Sequence, residues 1–218
     1  MNPYAGRWPT DWQQGQYNPH VYIPPSYYNQ PYYNDQPAGW HTVFDRSRPT
    51  SKWTALNPIL ASDMTHVRYD IRKPPREGIM ISTWQQISHV PALASPTHEV
   101  HIISKAFPWS INIRAPAGSV VTCGAVFDAL HAMLQEPIAD SEWGIVALDK
   151  TRREAIEKAA KARQDKDKDK EKRLKRVDWL GDTPMFKGLE KDEDFEKKRL
   201  LPGSAGVAET WVVRFGKP

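Results

Sequence analysis

Cysteine is almost missing from this chain: Cys123 is the only one in 218 residues. A single thiol excludes an intramolecular disulfide and any zinc site built on cysteine pairs. No run of about 18 apolar residues occurs, which excludes a membrane-spanning helix. The N-terminal stretch has no apolar core of the kind a secretory signal needs. Glycine patterns that cradle phosphates are missing as well: neither G-x-G-x-x-G nor G-x-x-x-x-G-K-[ST] appears. These absences lead us to expect an intracellular protein, in cytoplasm or nucleus, with no membrane partner and no cofactor.

Proline and tryptophan, by contrast, are plentiful, with 19 and 9 copies. The prolines gather in the N-terminal half. Residues 1–50 are rich in Tyr, Pro, Asn and Gln, and carry seven of the eight tyrosines before residue 34. They show no apolar periodicity, and proline recurs too often for a helix or a central strand. The expectation is a disordered tail, suited by its polar-aromatic bias to weak contacts with a protein partner or with other copies. Trp40, Phe44 and Trp53 at its end are placed to fold back over the domain instead. The net charge of +4 is local: residues 149–176 hold 13 Lys/Arg against 7 Asp/Glu, and the rest of the chain nearly balances. A basic-protein argument for nucleic acid is therefore open only for that segment.

Residues 51–218 read as one α+β domain. Leu56–Ala61 is a short apolar anchor with Asn-Pro turn chemistry. Val67, Tyr69 and Ile71 alternate as in a half-buried strand. Ile79 and Ile81 suggest a second short strand, and residues 84–97 a surface loop. His98–Ser104 and the Trp109–Arg114 alternation predict an antiparallel pair. The clearest helix signal follows. Thr122 is a good N-cap, and Val121 and Val126 are spaced as a hydrophobic staple. Cys123, Val126, Phe127, Leu130 and Leu134 form one apolar face, and Pro137 stops the helix near Gln135. A second helix is expected from about residue 141, with Trp143, Val146, Ala147, Ile156 and Ala160 inward. Residues 161–175 are expected as a solvated helical extension or a linker. Val177–Leu189 reads as a hairpin around Gly181-Asp182, residues 190–208 as a loop, and Thr210–Phe215 as a strand buried on more than one side. The predicted architecture is a mostly antiparallel sheet packed on one core helix, with a second long, partly solvated helix. Strand pair, crossing helix and later hairpin are compatible with a β-grasp-like arrangement.

Cys123 sits in the predicted first turn, where the helix dipole lowers a thiol pKa. Its nearest base in sequence, His131, is eight residues along the same helix, a rise of about 12 Å. That separation favours a core residue over a nucleophile, unless a distant His folds over it. His98 and His101 lie three apart on a strand and so face opposite ways, which prevents a shared metal. Asp70 and Asp178 lie in apparent strands. Acid–base work by the two together is one reading; the plainer one has each facing solvent or accepting from a turn backbone. The start of the helix at Thr122 is an anion site on dipole grounds alone. For nucleic acid, the contacts would fall to Arg152, Arg153, Lys172, Arg173, Lys175 and Arg176, although the segment lacks the stacking aromatics such sites use. Lys172–Arg176 and Lys197–Arg199 are basic clusters of the nuclear-localisation type.

Several ordered motifs, each short, recur together: Leu56-Asn57-Pro58 with Leu60; Val67-x-Tyr69-Asp70-Ile71 then Pro75; Pro108-Trp109-x-Ile111-x-Ile113; Thr122 with Val126, Ala129, Leu130 and Leu134 before Pro137-Ile138; Arg176–Gly181 with Thr183, Phe186 and Gly188-Leu189; and Trp211-Val212-Val213. In this order they resemble an uncharacterised fungal domain family, mainly of basidiomycetes. The resemblance implies a small domain behind a variable N-terminus, and no activity. The sequence thus points first to a non-catalytic interaction or scaffold domain. Its alternatives are an enzyme with a site assembled around Cys123, and weak nucleic-acid binding through residues 150–176.

Overall fold

The computed structural model describes residues 51–166, 172–199 and 209–218. The chain groups into two units, Met1–Gln36 and Pro37–Pro218. The expected tail 1–50 and the middle of the Lys/Asp run lie outside the described residues, which all belong to the second unit.

A four-stranded mixed sheet forms the centre. Its strands are β1 Glu99–Ser104, β2 Ile111–Arg114, β3 Met185–Glu190 and β4 Thr210–Gly216, in the order β2-β1-β4-β3. β1 and β2 pair antiparallel, as their short connection requires. β4 lies parallel to β1, with Ile103 opposite Val212, and antiparallel to β3. The expected mostly antiparallel sheet is therefore a mixed one with a parallel pair at its middle. A central strand is covered on both faces and reads as a continuous apolar run; Thr210 to Val213 are all buried. Ser104 closes the end of β1, where its hydroxyl donates to Val213 O at 3.0 Å.

Among the described residues six helices surround the sheet: α1 Pro75–Gly78, α2 Ile81–Ile87, α3 Cys123–Gln135, α4 Asp140–Ile145, α5 Lys150–Lys166 and α6 Glu193–Arg199. α3 follows its sequence signals. Thr122 Oγ1 accepts from Ala125 N at 3.1 Å, and Cys123, Val126, Phe127, Leu130 and Leu134 are buried. It is not the only helix in the core, though. α2 contributes Trp84 and Ile87, and α5 contributes Ile156 and Ala160.

Several expectations change. The second strand at residues 79–81 is replaced by the entry into α2: Pro75 starts a helical turn, and Met80, Trp84 and Ile87 follow helical rather than alternate spacing. Residues 84–97 are not a surface loop: Trp84 to Ile87 belong to α2, and Val90, Ala92 and Leu93 are buried. Residues 67–71 form no regular strand. They run along the outer edge of β3, where Phe186 N donates to Tyr69 O and Ile71 N to Pro184 O. The next part of that edge is taken by Leu60 and Ser62, paired with Leu189. Two separate segments thus cover an edge that would otherwise invite another chain. The switch between them occurs at an irregularity in β3, where Gly188 has φ +95°.

The single second helix is two. α4 ends at Val146, and Asp149 caps α5 by accepting from Arg152 N at 2.9 Å. Ala147, placed inward by the one-helix reading, is exposed. The strand expected at Val177 is a 3-10 turn, Arg176–Leu180, packed between α5 and α3 with Val177 through Leu180 all buried. Nor is residues 190–208 a plain loop, since α6 lies within it. The segment from Lys161 to Lys166 continues α5 with four of its six residues exposed, yet it is anchored to the core. Arg163, next in the inward row after Ile156 and Ala160, makes a bidentate ion pair with Asp178 at 2.9 and 2.8 Å, with both side chains at least nine-tenths buried.

Two substitutions test this packing. A Cβ at Gly188 would lie 2.4 Å from Ser62 Cα at a backbone angle alanine avoids. Gly188→Ala should lose about 3 kcal/mol of stability in denaturant unfolding; a loss below about 0.5 kcal/mol would contradict the close approach. Arg163→Met should cost about 3–5 kcal/mol by stranding a buried carboxylate, and Arg163→Met with Asp178→Leu should cost less than the single change. Additive losses in the double variant would contradict the pairing.

Candidate interaction groove

The chemistry-bearing residues of the sequence are spread through the fold. Cys123 is buried, its Sγ 3.7 Å from Pro91 O, and burial pushes its thiol far above the ordinary range. His131 does not approach it: its Nδ1 is 2.9 Å from Ile71 O. A thiol held protonated inside the core is no nucleophile. The start of α3 is also closed. Cys123 N donates to Val90 O and Gly124 N to Ser88 O, so the first-turn amides have partners and none is left for an anion. Gly124 permits this approach, because a Cβ there would stand 2.4 Å from Ser88 O.

His98 Nδ1 contacts Ser119 O and His101 Nδ1 contacts Asn112 Oδ1, two separate local bonds. Among the described residues no cluster of three or more His, Cys, Asp or Glu is arranged for a metal ion. Asp70 caps its own turn, accepting from Arg72 N, and pairs with the Arg72 guanidinium. Burial alone would raise its carboxyl, but those bonds hold it below the ordinary range. Asp178 is committed to Arg163 and also accepts from Lys175 N at 2.8 Å.

The arginines of the basic segment are used partly inward, while Lys150, Lys158, Lys161 and Lys166 are exposed. Arg176 donates twice to Glu142, pairs with Glu136, and stands over the Trp109 ring at 5.1 Å. Burial would raise the Glu142 carboxyl; the Arg176 guanidinium carries it below the ordinary range instead. Arg152 donates to Ala106 O at 2.6 Å and lies over Trp179. Arg153 reaches toward Ala147 O at 3.5 Å. Lys175 is half-buried, and Lys172 and Arg173 are exposed. A phosphate would have to displace carboxylates from Arg176 and a carbonyl from Arg152.

What the sequence reading did not find is a groove. One wall is Pro58, Ile59, Met64 and Val67; the other is Ile79 with Met80, Thr83, Gln86 and Ile87 along α2. It encloses about 560 Å³ and its lining is mainly apolar. Met80 is 74% exposed and the adjacent Ile81 68%, unusual for large apolar side chains. His66, Val67 and Arg68 also line a second hollow, with Lys187 and Arg214 on its far side. Among the described residues, no Asp or Glu side chain lines either one. The walls are held from beneath. Phe127 of α3 meets Tyr69 edge-on at 5.6 Å, Phe186 at 5.1 Å and Trp84 of α2 at 6.4 Å. Tyr69, buried and with its hydroxyl pushed far above the ordinary range by that burial, donates to Lys73 O at 2.9 Å.

Among the described residues, no helix is long and apolar enough to cross a membrane. No curated protein and no solved structure matches the chain. Residues 67–197 match a family described as Family of unknown function (DUF6699). The match takes in α2 and α3 but stops short of β4, the strand that joins β1 to β3, and of the 58–66 wall of the groove. It spans more than half of the 218 residues, and the chain therefore belongs to the DUF6699 family of unknown function.

Proposed function

We propose that this protein is a non-catalytic interaction module, and that residues 51–218 act as one folded unit whose binding surface is the groove along α2. The observation that carries this reading is the pairing of an apolar trough with two exposed apolar side chains, Met80 and Ile81, at its border. Docked segments of a partner protein bury such side chains into preformed apolar grooves. In the hollow next door Arg214 is already paired with Glu190 at 3.3 Å, but Arg68 and Lys187 favour a segment bearing acidic residues beside its apolar anchors. Intracellular placement and a fungal, mainly basidiomycete, family belong to the same proposal, and both derive from the sequence motifs.

Met80→Asp is the direct test. The side chain is largely exposed, so folding should change by less than about 0.5 kcal/mol. The full chain carrying this change should lose proteins that the natural chain recovers by chemical cross-linking, with an unchanged melting temperature. An identical set of recovered proteins would remove the groove from the function.

A further inference from the structure

The first described residues of the chain are tied down beside the groove. Ser51 Oγ donates to Asp63 Oδ1 at 2.8 Å, and Lys52 N donates to Asp63 Oδ2 at 2.6 Å. Asp63 is the immediate neighbour of Met64, a groove-wall residue. Trp53 then packs on the core, with Lys52 Nζ 4.8 Å above its ring. The chain preceding Ser51 therefore departs next to an open apolar trough.

That preceding chain carries the right side chains. Trp40, Val43 and Phe44 are the large apolar residues of the 37–50 stretch, grouped within five positions. Phe44 lies seven positions before Ser51, and extended chain spans up to ~24 Å over that distance. Aromatic side chains bury about 150–250 Å² each, which makes them strong anchors for such a trough. Attachment at Ser51 also sets the effective concentration. A short tether presents its segment at about millimolar levels, so even a weak site is largely filled from within the chain.

We infer that the groove along α2 is occupied by this chain's own Trp40–Phe44 segment, docked as an internal latch that a partner must displace. The inference rests on the groove being the binding surface proposed above. It gives the aromatic segment a specific address, and it makes access to the groove depend on competition rather than on exposure alone.

The test uses the full chain with p-benzoylphenylalanine in place of Phe44. On irradiation, cross-links are expected within one chain, to residues 58–68 or 79–87. They should fall about tenfold when Met80→Asp is added, the loss expected from trading an apolar contact for a charge. Cross-links that join two chains would overturn the internal latch in favour of a second copy as the occupant. Cross-links elsewhere, or none, would overturn it outright, and would leave the partner test with Met80→Asp standing by itself. Internal cross-links together with an unchanged set of recovered proteins would support the latch and remove the partner reading.

Discussion

The contact of Phe127 with three rings holds this domain together. Tyr69, Trp84 and Phe186 come from three segments far apart in sequence, and each meets the same side chain of α3. The edge-on pairs with Tyr69 and Phe186 add about 0.5–1.5 kcal/mol each beyond simple burial, and the Trp84 ring packs tilted at 59°. Their larger effect is positional. Tyr69 fixes the segment that covers the edge of β3, and Trp84 fixes α2. The groove exists because those two walls are pinned to one helix at a set separation. α3 carries no chemistry of its own, since its cysteine and its first-turn amides are both closed off.

Charge is organised around a second cluster. Arg152 from α5, Arg199 from α6 and Arg176 from the 3-10 turn converge on the turn Ala106–Trp109, through carbonyls and the Trp109 ring. Trp109 in turn stacks on Phe107 at 4.8 Å and meets Trp179 edge-on at 5.4 Å. Arginine suits this role because its flat guanidinium stacks on rings while still donating hydrogen bonds. The apparent basic surface of the sequence is thus partly a set of internal fastenings. Lys150, Lys158, Lys161, Lys166, Lys172 and Arg173 stay exposed beside these fastenings, and Arg68 and Lys187 border the 66–68 hollow.

Sequence reading succeeded where local signals act alone. The Thr122 cap, the apolar face of α3, the Pro137 stop, the β1–β2 pair and the burial of β4 were legible because each depends on a few neighbouring residues. It failed where tertiary context decided. Ile79 and Ile81 alternate like a strand, yet Ile79 is buried and Ile81 is exposed at the start of α2. Val177 and Trp179 also alternate, but a 3-10 turn held between two helices buries every residue from 177 to 180. Arg163 and Asp178 were invisible to apolar counting, because pairing lets two charges occupy a buried site. The groove was missed for a related reason. Its two walls are separated in sequence, and the residues of α2 carry the local pattern of a strand followed by a loop.

The central claim is that Phe127 holds both groove walls, and hydrogen exchange on Phe127→Leu in the full chain tests it most directly. Loss of the ring contacts should speed exchange of Trp84 N and Ser88 N in α2, and of Phe186 N bonded to Tyr69 O, by about tenfold, or ~1.4 kcal/mol. Amides of α5 should stay as protected as before, because α5 is held by Arg163 and Asp178 rather than by Phe127. Unchanged exchange in α2, or an equal rise across α2 and α5, would contradict the claim.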